Sequence, residues 1–218
     1  MDVSVRLRLA VVGAEEIEAA VAIHLRAFPT FFLSVLGPRF LGCLYSEIVA
    51  DSSGIAWGCF HDGQMVGLVA GTSEPTNFYR RLLARRWWRF GLAALAPTLR
   101  RPSIIPRLLN AFRKPGEVRR LSRYGELMSI AVCPKAQGMG IGRLLVGVFL
   151  LECRRRGLEG VSLTTDAVEN DSVNEFYRRM GFSLGRSFAT AQGRPMNEYE
   201  IRLGAVDEKI WKDVAEAQ

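Results

Sequence analysis

Histidine is nearly missing from this chain: its 218 residues hold only His24 and His61. Chemistry built on clustered imidazoles, whether metal ligation or a histidine-centred triad, has little to draw on. Cysteine is sparse as well. Cys43, Cys59, Cys133 and Cys153 stand far apart, with no C-x-x-C pair and no histidine at ligand spacing. That argues against a zinc site or a disulfide framework and for buried reduced thiols, so no metal is expected. No run approaches the roughly 18 uncharged apolar residues of a membrane span. The first thirteen residues carry no apolar stretch of signal-peptide length, and Glu15, Glu16 and Glu18 follow at once. The expected compartment is the cytoplasm.

Acidic residues are scarce in one stretch. Between positions 79 and 123, thirteen Lys and Arg stand against Glu117 alone. This local balance of +12 within a total of +7 leaves −5 for the rest of the chain. The basic character belongs to this segment and not to the fold as a whole. No nucleic-acid recognition motif accompanies it, so nucleic acid is not an expected partner.

What is present suits a packed core, with 49% hydrophobic and 23% charged residues. Residues 3–11 alternate apolar and charged side chains (Val5, Arg6, Leu7, Arg8, Leu9), as a half-exposed strand would. Residues 14–28 place Ile17, Val21 and Leu25 on one helical face, with acids in the first turn. An aromatic loop with Phe28, Phe31 and Phe32 follows, then a helix over 39–50. Residues 55–60 and 65–71 read as a hairpin turning at 61–64, which puts His61 at a turn tip and away from chemistry. Beyond the basic stretch, strands are expected over 126–132, 161–167, 182–188 and 197–203, and helices over 140–156 and 171–180. The expectation is an α/β (α+β) mixed sheet flanked by helices, in one domain over 1–218 with no internal repeat.

The stretch from Ile130 to Arg143, IAVCPKAQGMGIGR, runs from a strand through a glycine-rich turn into a helix. Glycine tolerates the conformations that aim several backbone N–H groups into one small volume, and it allows close approach. The positive end of the helix dipole adds to the attraction for an anion, and a pyrophosphate suits that geometry. The spacing is neither the G-x-G-x-x-G of dinucleotide folds nor the ending of a P-loop. Taken alone, it also fits a tight strand-to-helix turn.

About thirty residues on comes Asn170-Asp171-Ser172-Val173-Asn174-Glu175-Phe176-Tyr177-Arg178-Arg179-Met180-Gly181-Phe182. Together the two stretches resemble the cofactor-binding core of the GNAT superfamily of acyl-CoA N-acyltransferases. Its pattern is a strand, Q/R-x-x-G-x-G/A, a helix, a strand, then N-x-x-A-x-x-F/L-Y-x-x-x-G-F. Gln137, Gly140 and Gly142 fill the first motif. Asn170, Phe176, Tyr177, Gly181 and Phe182 fill the second, with Val173 where a small residue is usual. The close match covers 126–188.

The resemblance implies acetyl-CoA as co-substrate, a core over 124–188, and a basic helical insertion over 79–123 ahead of the cofactor-binding strand. It implies that Ile130, Ala131 and Val132 pair their backbone with the pantetheine arm. The turn Gln137, Gly138, Met139, Gly140, Ile141 and Gly142, with Arg143, would cradle the pyrophosphate. Asn170 would bond the pantetheine, and the Tyr177 hydroxyl would face the thioester sulfur. A phenol with a pKa of about 10 stays protonated at neutral pH and can serve there as acid. Core packing is the plainer role for Tyr177.

The amine must be neutral to attack. Glu126 matches the base position of the histone-acetylating branch, and strand alternation would put it on one face with Met128, Ile130 and Val132. Such apolar neighbours would raise its pKa. Asp166, on the next strand, is the second choice, and alignment of amine and thioester can make a dedicated base dispensable. The ribosomal-protein N-terminal acetylating branch commonly has an acid five residues before the motif Asn. Here that position is Thr165, which weakens a protein N-terminal acetylase reading.

The acceptor side in this superfamily is built from the first two helices and the region before the cofactor strand. The N-terminal half, with HLRAFP at 24–29 and FFLSVLGPRFL at 31–41, is similar to acetyltransferases of polysaccharide and envelope gene sets, which favours an amino sugar or another small amine. A protein or peptide acceptor and a membrane- or partner-binding module are the alternatives. Residues 79–94 can be drawn as a helix with Leu82, Leu83, Trp87, Phe90 and Ala94 in a stripe. The basic stretch then reads as a lid, as a dock for an anionic acceptor, or as a contact with an anionic membrane surface. His24 reads as a packing histidine or as one facing the acceptor. An oligomeric assembly is compatible with this pattern.

Overall fold

A computed structural model describes residues 7–100, 123–190 and 192–218. Positions 3–6 of the expected first strand and 101–122 of the expected insertion lie outside the described residues. So do the side chains of Leu83, Trp87 and Ala94 from the expected stripe.

The chain runs β1 (Leu7–Val11), α1 (Ile17–Ala27), α2 (Phe32–Val35), α3 (Pro38–Ala50), β2 (Gly54–His61), β3 (Gln64–Thr72), α4 (Pro75–Arg100) and β4 (Tyr124–Val132). It continues α5 (Ile141–Arg155), β5 (Gly160–Asp166), α6 (Asp171–Arg179), β6 (Ser183–Ala189), β7 (Pro195–Arg202) and α7 (Glu208–Glu216). The strands form a single mixed sheet in the order β1-β2-β3-β4-β5-β7-β6. Among its neighbours only β4 and β5 run parallel, joined through α5, as a parallel pair requires a crossover. The hairpin turns at Asp62 and Gly63, both at positive φ, and His61 closes β2.

Two apolar layers cover the sheet. On one face lies α5, with Leu145, Val146, Val148, Phe149 and Leu150 all fully buried. A helix apolar around so much of its circumference must be covered twice. The sheet covers it on one side and α7 on the other: a Cβ on Gly147 would come within 2.6 Å of Val214 and 2.9 Å of Ile210. The close approach therefore needs glycine. Beyond residue 203, where sequence pattern predicts no element, the chain forms α7, a nine-residue helix that Asp207 caps through the Lys209 N–H at 2.8 Å.

On the opposite face α1, α3 and the start of α4 bury Val21, Leu41, Ile48 and Phe78 against Leu68 and Ala70 of β3. The expected aromatic loop after α1 includes the short α2. Helix α4 is anchored by Arg81, whose guanidinium forks onto Asp51 at 2.7 and 2.8 Å and reaches Ser53. Further along, Phe90 packs on Phe40 of α3. All four cysteines are free thiols. Cys59 and Cys153 are fully buried, and desolvation pushes Cys59 up to about 11.

The simple alternation expected along β4 is broken. Ala70 pairs with Ser129 but Gly71 pairs with Leu127, so Met128 is an extra residue bulged out of the ladder. The bulge changes which face the next side chains take. Met128 packs with the α1/α3 layer and Tyr45 of α3 reaches Ser129, whereas Ile130 and Val132 pack against the α5 layer. Glu126 shares the α1/α3 side, taking a long hydrogen bond of 3.4 Å from the Tyr79 hydroxyl of α4. Thus Glu126 and Met128 do not share a face with Ile130 and Val132.

Candidate active site

The parallel ladder between β4 and β5 ends early. Tyr124 to Leu127 pair with Gly160 to Leu163, and beyond them the strands separate. The β5-facing edge of β4 from Met128 onward has no strand partner, although backbone N–H and C=O groups call for one. Between the separated strands opens a cleft of about 920 Å³. An extended ligand with amide groups can add to that free edge as a strand would.

At the far end of the cleft β4 runs into the glycine-rich turn. Gly138 and Gly140 sit at φ +84° and +76°, where a side chain is strained. Gly140 is the N-cap of α5, and no side chain caps it. Its carbonyl accepts the first helical bonds, from the N–H groups of Arg143 and Leu144, so the amides from Gly138 to Gly142 precede the helical ladder. Gln137, Gly138, Gly140, Ile141, Gly142 and Arg143 all line the cleft; Met139, exposed at the tip of the turn, does not. Arg143 also pairs with Asp213 of α7 at 3.2 Å. The result is a row of N–H donors at a helix N-terminus beside a cation, an arrangement that holds phosphate oxygens.

Opposite stand β5 and α6. Asn170 lines the cleft at the N-cap of α6, and its amide nitrogen donates to Thr165 Oγ1 at 2.8 Å and to the Asp166 carbonyl at 3.2 Å. Asn174, one turn on, is buried in a separate network with Asn170, Asp166 and Asn197. Tyr177 is 4% exposed, wedged among Phe176, Phe182 and Tyr199, and it reaches the cleft. Burial raises its pKa, and its hydroxyl makes no hydrogen bond among the described residues. A phenol so placed stays protonated and can donate to a ligand atom.

Glu126 does not line the cleft. It lies one residue before the last paired position of β4, on the α1/α3 side and 9% exposed. Asp166 does line it, held by the guanidinium of Arg194 from the turn between β6 and β7.

A side of the cleft that the sequence described only in outline is a row of contacts from α1 across to β5. His24 meets Phe28 with ring centroids 5.1 Å apart, Phe28 meets Phe31 at 5.0 Å, and Arg194 lies over Phe31 at 5.3 Å while gripping Asp166. His24 is buried, and its Nδ1 lies 2.7 Å from the Tyr45 hydroxyl. Neither Tyr45 nor Arg194 carries a motif. Only the crossing of α1, α3 and the β6–β7 turn brings Arg194 to the cleft and sets Tyr45 behind its wall against His24. Among the described residues no cluster of His, Cys, Asp or Glu could hold a metal, and no helix is long and apolar enough to cross a membrane.

Residues 17–182 match the family model described as the acetyltransferase (GNAT) family. The mycothiol acetyltransferase of Cellulomonas flavigena is 44% identical over 69 residues, which are 32% of this chain and 18% of that protein. That of Nocardia farcinica is 44% identical over 59 residues, 27% of this chain and 19% of that protein. The matched segments thus span under a fifth of these relatives. Among solved structures, the PaiA N-acetyltransferase of Thermoplasma acidophilum, in complex with coenzyme A, superposes with a TM-score of 0.55 at 10% identity over 89% of this chain and 99% of that one. An N-acetyltransferase from Staphylococcus aureus gives a TM-score of 0.58 at 15% identity over 90% and 98%. These likenesses speak for the fold, and the family match spans most of the chain. The chain belongs to the acetyltransferase (GNAT) family.

Proposed function

We propose that this protein transfers acetyl from acetyl-CoA to a primary amine of a small molecule by direct attack, with no covalent enzyme intermediate. The observation that carries the reading is the separation of β4 from β5 beyond Leu127, leading into the uncapped turn at Gly138 to Gly142. The free edge of Ile130, Ala131 and Val132 would pair with the amides of the pantetheine arm. The turn amides and Arg143 would hold the pyrophosphate, with Met139 contributing backbone only. Asn170 would bond the arm from the α6 side. Tyr177 would protonate the departing sulfur.

Glu126 was the base suggested by sequence. Lying behind the bulge, it would act through a water and not by direct contact, and Asp166 remains the second carboxylate near the amine. The aromatic row of Phe28 and Phe31 suits the apolar face of a sugar ring or a comparable small body, which supports an amino sugar or a related small amine as acceptor. The segmental likeness to mycothiol acetyltransferases supports testing desacetylated mycothiol beside it. Helix α4 turns Trp88, Arg89 and Leu92 outward, a pattern that supports contact with an anionic membrane surface. Loss of sedimentation with anionic liposomes would remove that second role without touching the first.

Calorimetric titration with acetyl-CoA is the first test, followed by acetyl transfer to a panel of amino sugars, desacetylated mycothiol and peptides. Micromolar binding with transfer to a small amine is the expected result. No binding by folded protein would refute the enzyme reading, and transfer to peptides alone would refute the acceptor class.

A further inference from the structure

The acetyl-transfer reading, on which this inference rests, leaves the proton of the attacking amine without an uncommitted carboxylate to take it, because Glu126 lies outside the cleft lining and both oxygens of Asp166 are engaged by Arg194. Another side chain fits that place. His24 of α1 is 4% exposed, and it lines the cleft. Its Nδ1 lies 2.7 Å from the hydroxyl of Tyr45, which donates to Ser129 Oγ over a long 3.5 Å. A phenol has one proton to give. With it directed at Ser129, the Tyr45 oxygen accepts from Nδ1–H, and Nε2 keeps its lone pair. No hydrogen bond is made to Nε2 among the described residues. Ser129 itself follows the bulged Met128, at the stretch of β4 where the ligand edge begins. The chain His24–Tyr45–Ser129 therefore ties α1 and α3 to the strand that would carry the thioester.

We propose that His24 is the catalytic residue that takes the proton from the attacking amine, with Tyr45 and Ser129 as positioning residues that set its tautomer. The amine lone pair forms the C–N bond at the thioester carbonyl. The nitrogen, now cationic, passes a proton to Nε2. The C–S bond breaks, its electron pair leaves with the sulfur of CoA, and Tyr177 protonates that sulfur. The imidazolium then returns its proton to water, and Tyr177 regains one. An N–H on a nitrogen already bonded to the former carbonyl carbon is far more acidic than that of a free ammonium, so a weak base suffices.

Burial lowers the pKa of His24 to about 4, which keeps the imidazole neutral and able to accept at pH 7. The titratable groups on the surrounding elements are Tyr45 of α3, Glu126 of β4 with Tyr79 of α4, Asp166 of β5, Tyr177 of α6 and Arg194 of the β6–β7 turn. Burial raises Tyr45 to about 12, so it stays a phenol beside the ring.

Two readouts test this on the full-length protein. The chain has only two histidines, so 15N-labelled imidazole spectra hold two ring systems, and His61→Gln assigns them. The expected spectrum has His24 as the Nδ1–H tautomer, with Nε2 shifting when acetyl-CoA and glucosamine are added. The second readout is CoA release from acetyl-CoA with glucosamine as the probe amine. His24→Gln, which keeps polarity and bulk but cannot accept the proton, is expected to lower kcat by about 10²-fold or more with unchanged acetyl-CoA binding. Tyr45→Phe is expected to lower kcat less and to shift the acid limb of the pH profile, and a packing role would move no limb. An Nε2–H tautomer, or His24→Gln turnover within about twofold of native with the same pH profile, overturns the proposal. If glucosamine is not turned over, the tautomer and the Nε2 shift on adding acetyl-CoA alone decide. Failure of the native protein to bind acetyl-CoA would instead strike the underlying acetyl-transfer reading.

Discussion

Thr165 Oγ1 accepts a 2.8 Å hydrogen bond from the side-chain amide of Asn170, across the gap between the end of β5 and the start of α6. Five residues separate them in sequence, and the bond fixes which way the Asn170 carboxamide faces the cleft. The threonine that departs from the acidic pattern of a ribosomal-protein acetylase thus has a local role. Replacing Thr165 with Val keeps the shape and removes the acceptor. We expect acetyl-CoA affinity to fall about five- to tenfold, on the order of 1 kcal/mol, measured calorimetrically. An unchanged Kd would show that Asn170 is held without Thr165.

The two turn glycines separate folding from binding. Gly140 sits at φ +76° with open space where a Cβ would be, so Gly140→Val costs about 1–2 kcal/mol through backbone strain alone. At Gly142 φ is not positive, and a Cβ would meet only Phe176, at an ordinary 3.5 Å. Gly142→Ala is therefore expected to melt no lower than native, while its methyl group at the cleft wall weakens acetyl-CoA binding about tenfold or more. Thermal melts beside titrations check this, and tight binding by Gly142→Ala would argue against the cradle.

Tyr177→Phe removes a hydroxyl that makes no hydrogen bond among the described residues and leaves the ring packed against Phe182 and Tyr199. Stability and acetyl-CoA affinity should hold, while kcat falls about 10²-fold through loss of the proton donor. A variant that stays fully active would return Tyr177 to a packing role.

His24 makes stability depend on pH. Its pKa falls from 6.5 in the unfolded chain to about 4 in the folded one. Between those values the unfolded state binds more protons, so the contribution is fully present above pH 6.5 and is lost as pH drops toward 4, roughly 3 kcal/mol at most. Urea midpoints followed from pH 7 to 4 should fall less steeply in His24→Gln.

Asp51 adds a second window at lower pH. The Arg81 guanidinium holds its carboxyl at about 2, against 3.8 ordinarily. That pair ties α4 to the end of α3, and its contribution is present above pH 3.8 and disappears as pH falls through 2. Arg81→Gln should lower stability at pH 7 and flatten the acid limb; an unaltered limb would mean the pair is dispensable.

Much of this fold is written in local pattern. The alternation in β1, the 3.6-residue spacing in α1 and the Asp62–Gly63 turn each follow from a few neighbouring residues, because periodicity and turn chemistry act over short range. The glycine-rich turn is legible for the same reason: all its parts lie between Ile130 and Arg143. The β4 bulge was not legible, since an extra residue in a ladder is defined by the partner strand. It moved Ile130 and Val132 to the face opposite Glu126, and no property of those side chains announces it.

By itself the sequence determined the family, the mixed sheet and the glycine-rich turn, since each rests on contiguous residues whose backbone preferences and spacing suffice. Tertiary structure alone decided which groups gather on the α1 side of the cleft. His24, Tyr45, Ser129 and Arg194 come from α1, α3, β4 and the β6–β7 turn, and they meet only because α1 and α3 pack on one face of the sheet and the hairpin turn reaches back over its open seam. It also placed Glu126 behind the cleft wall. Side-chain direction at a strand bulge is set by pairing across the sheet, a non-local interaction that no linear pattern carries.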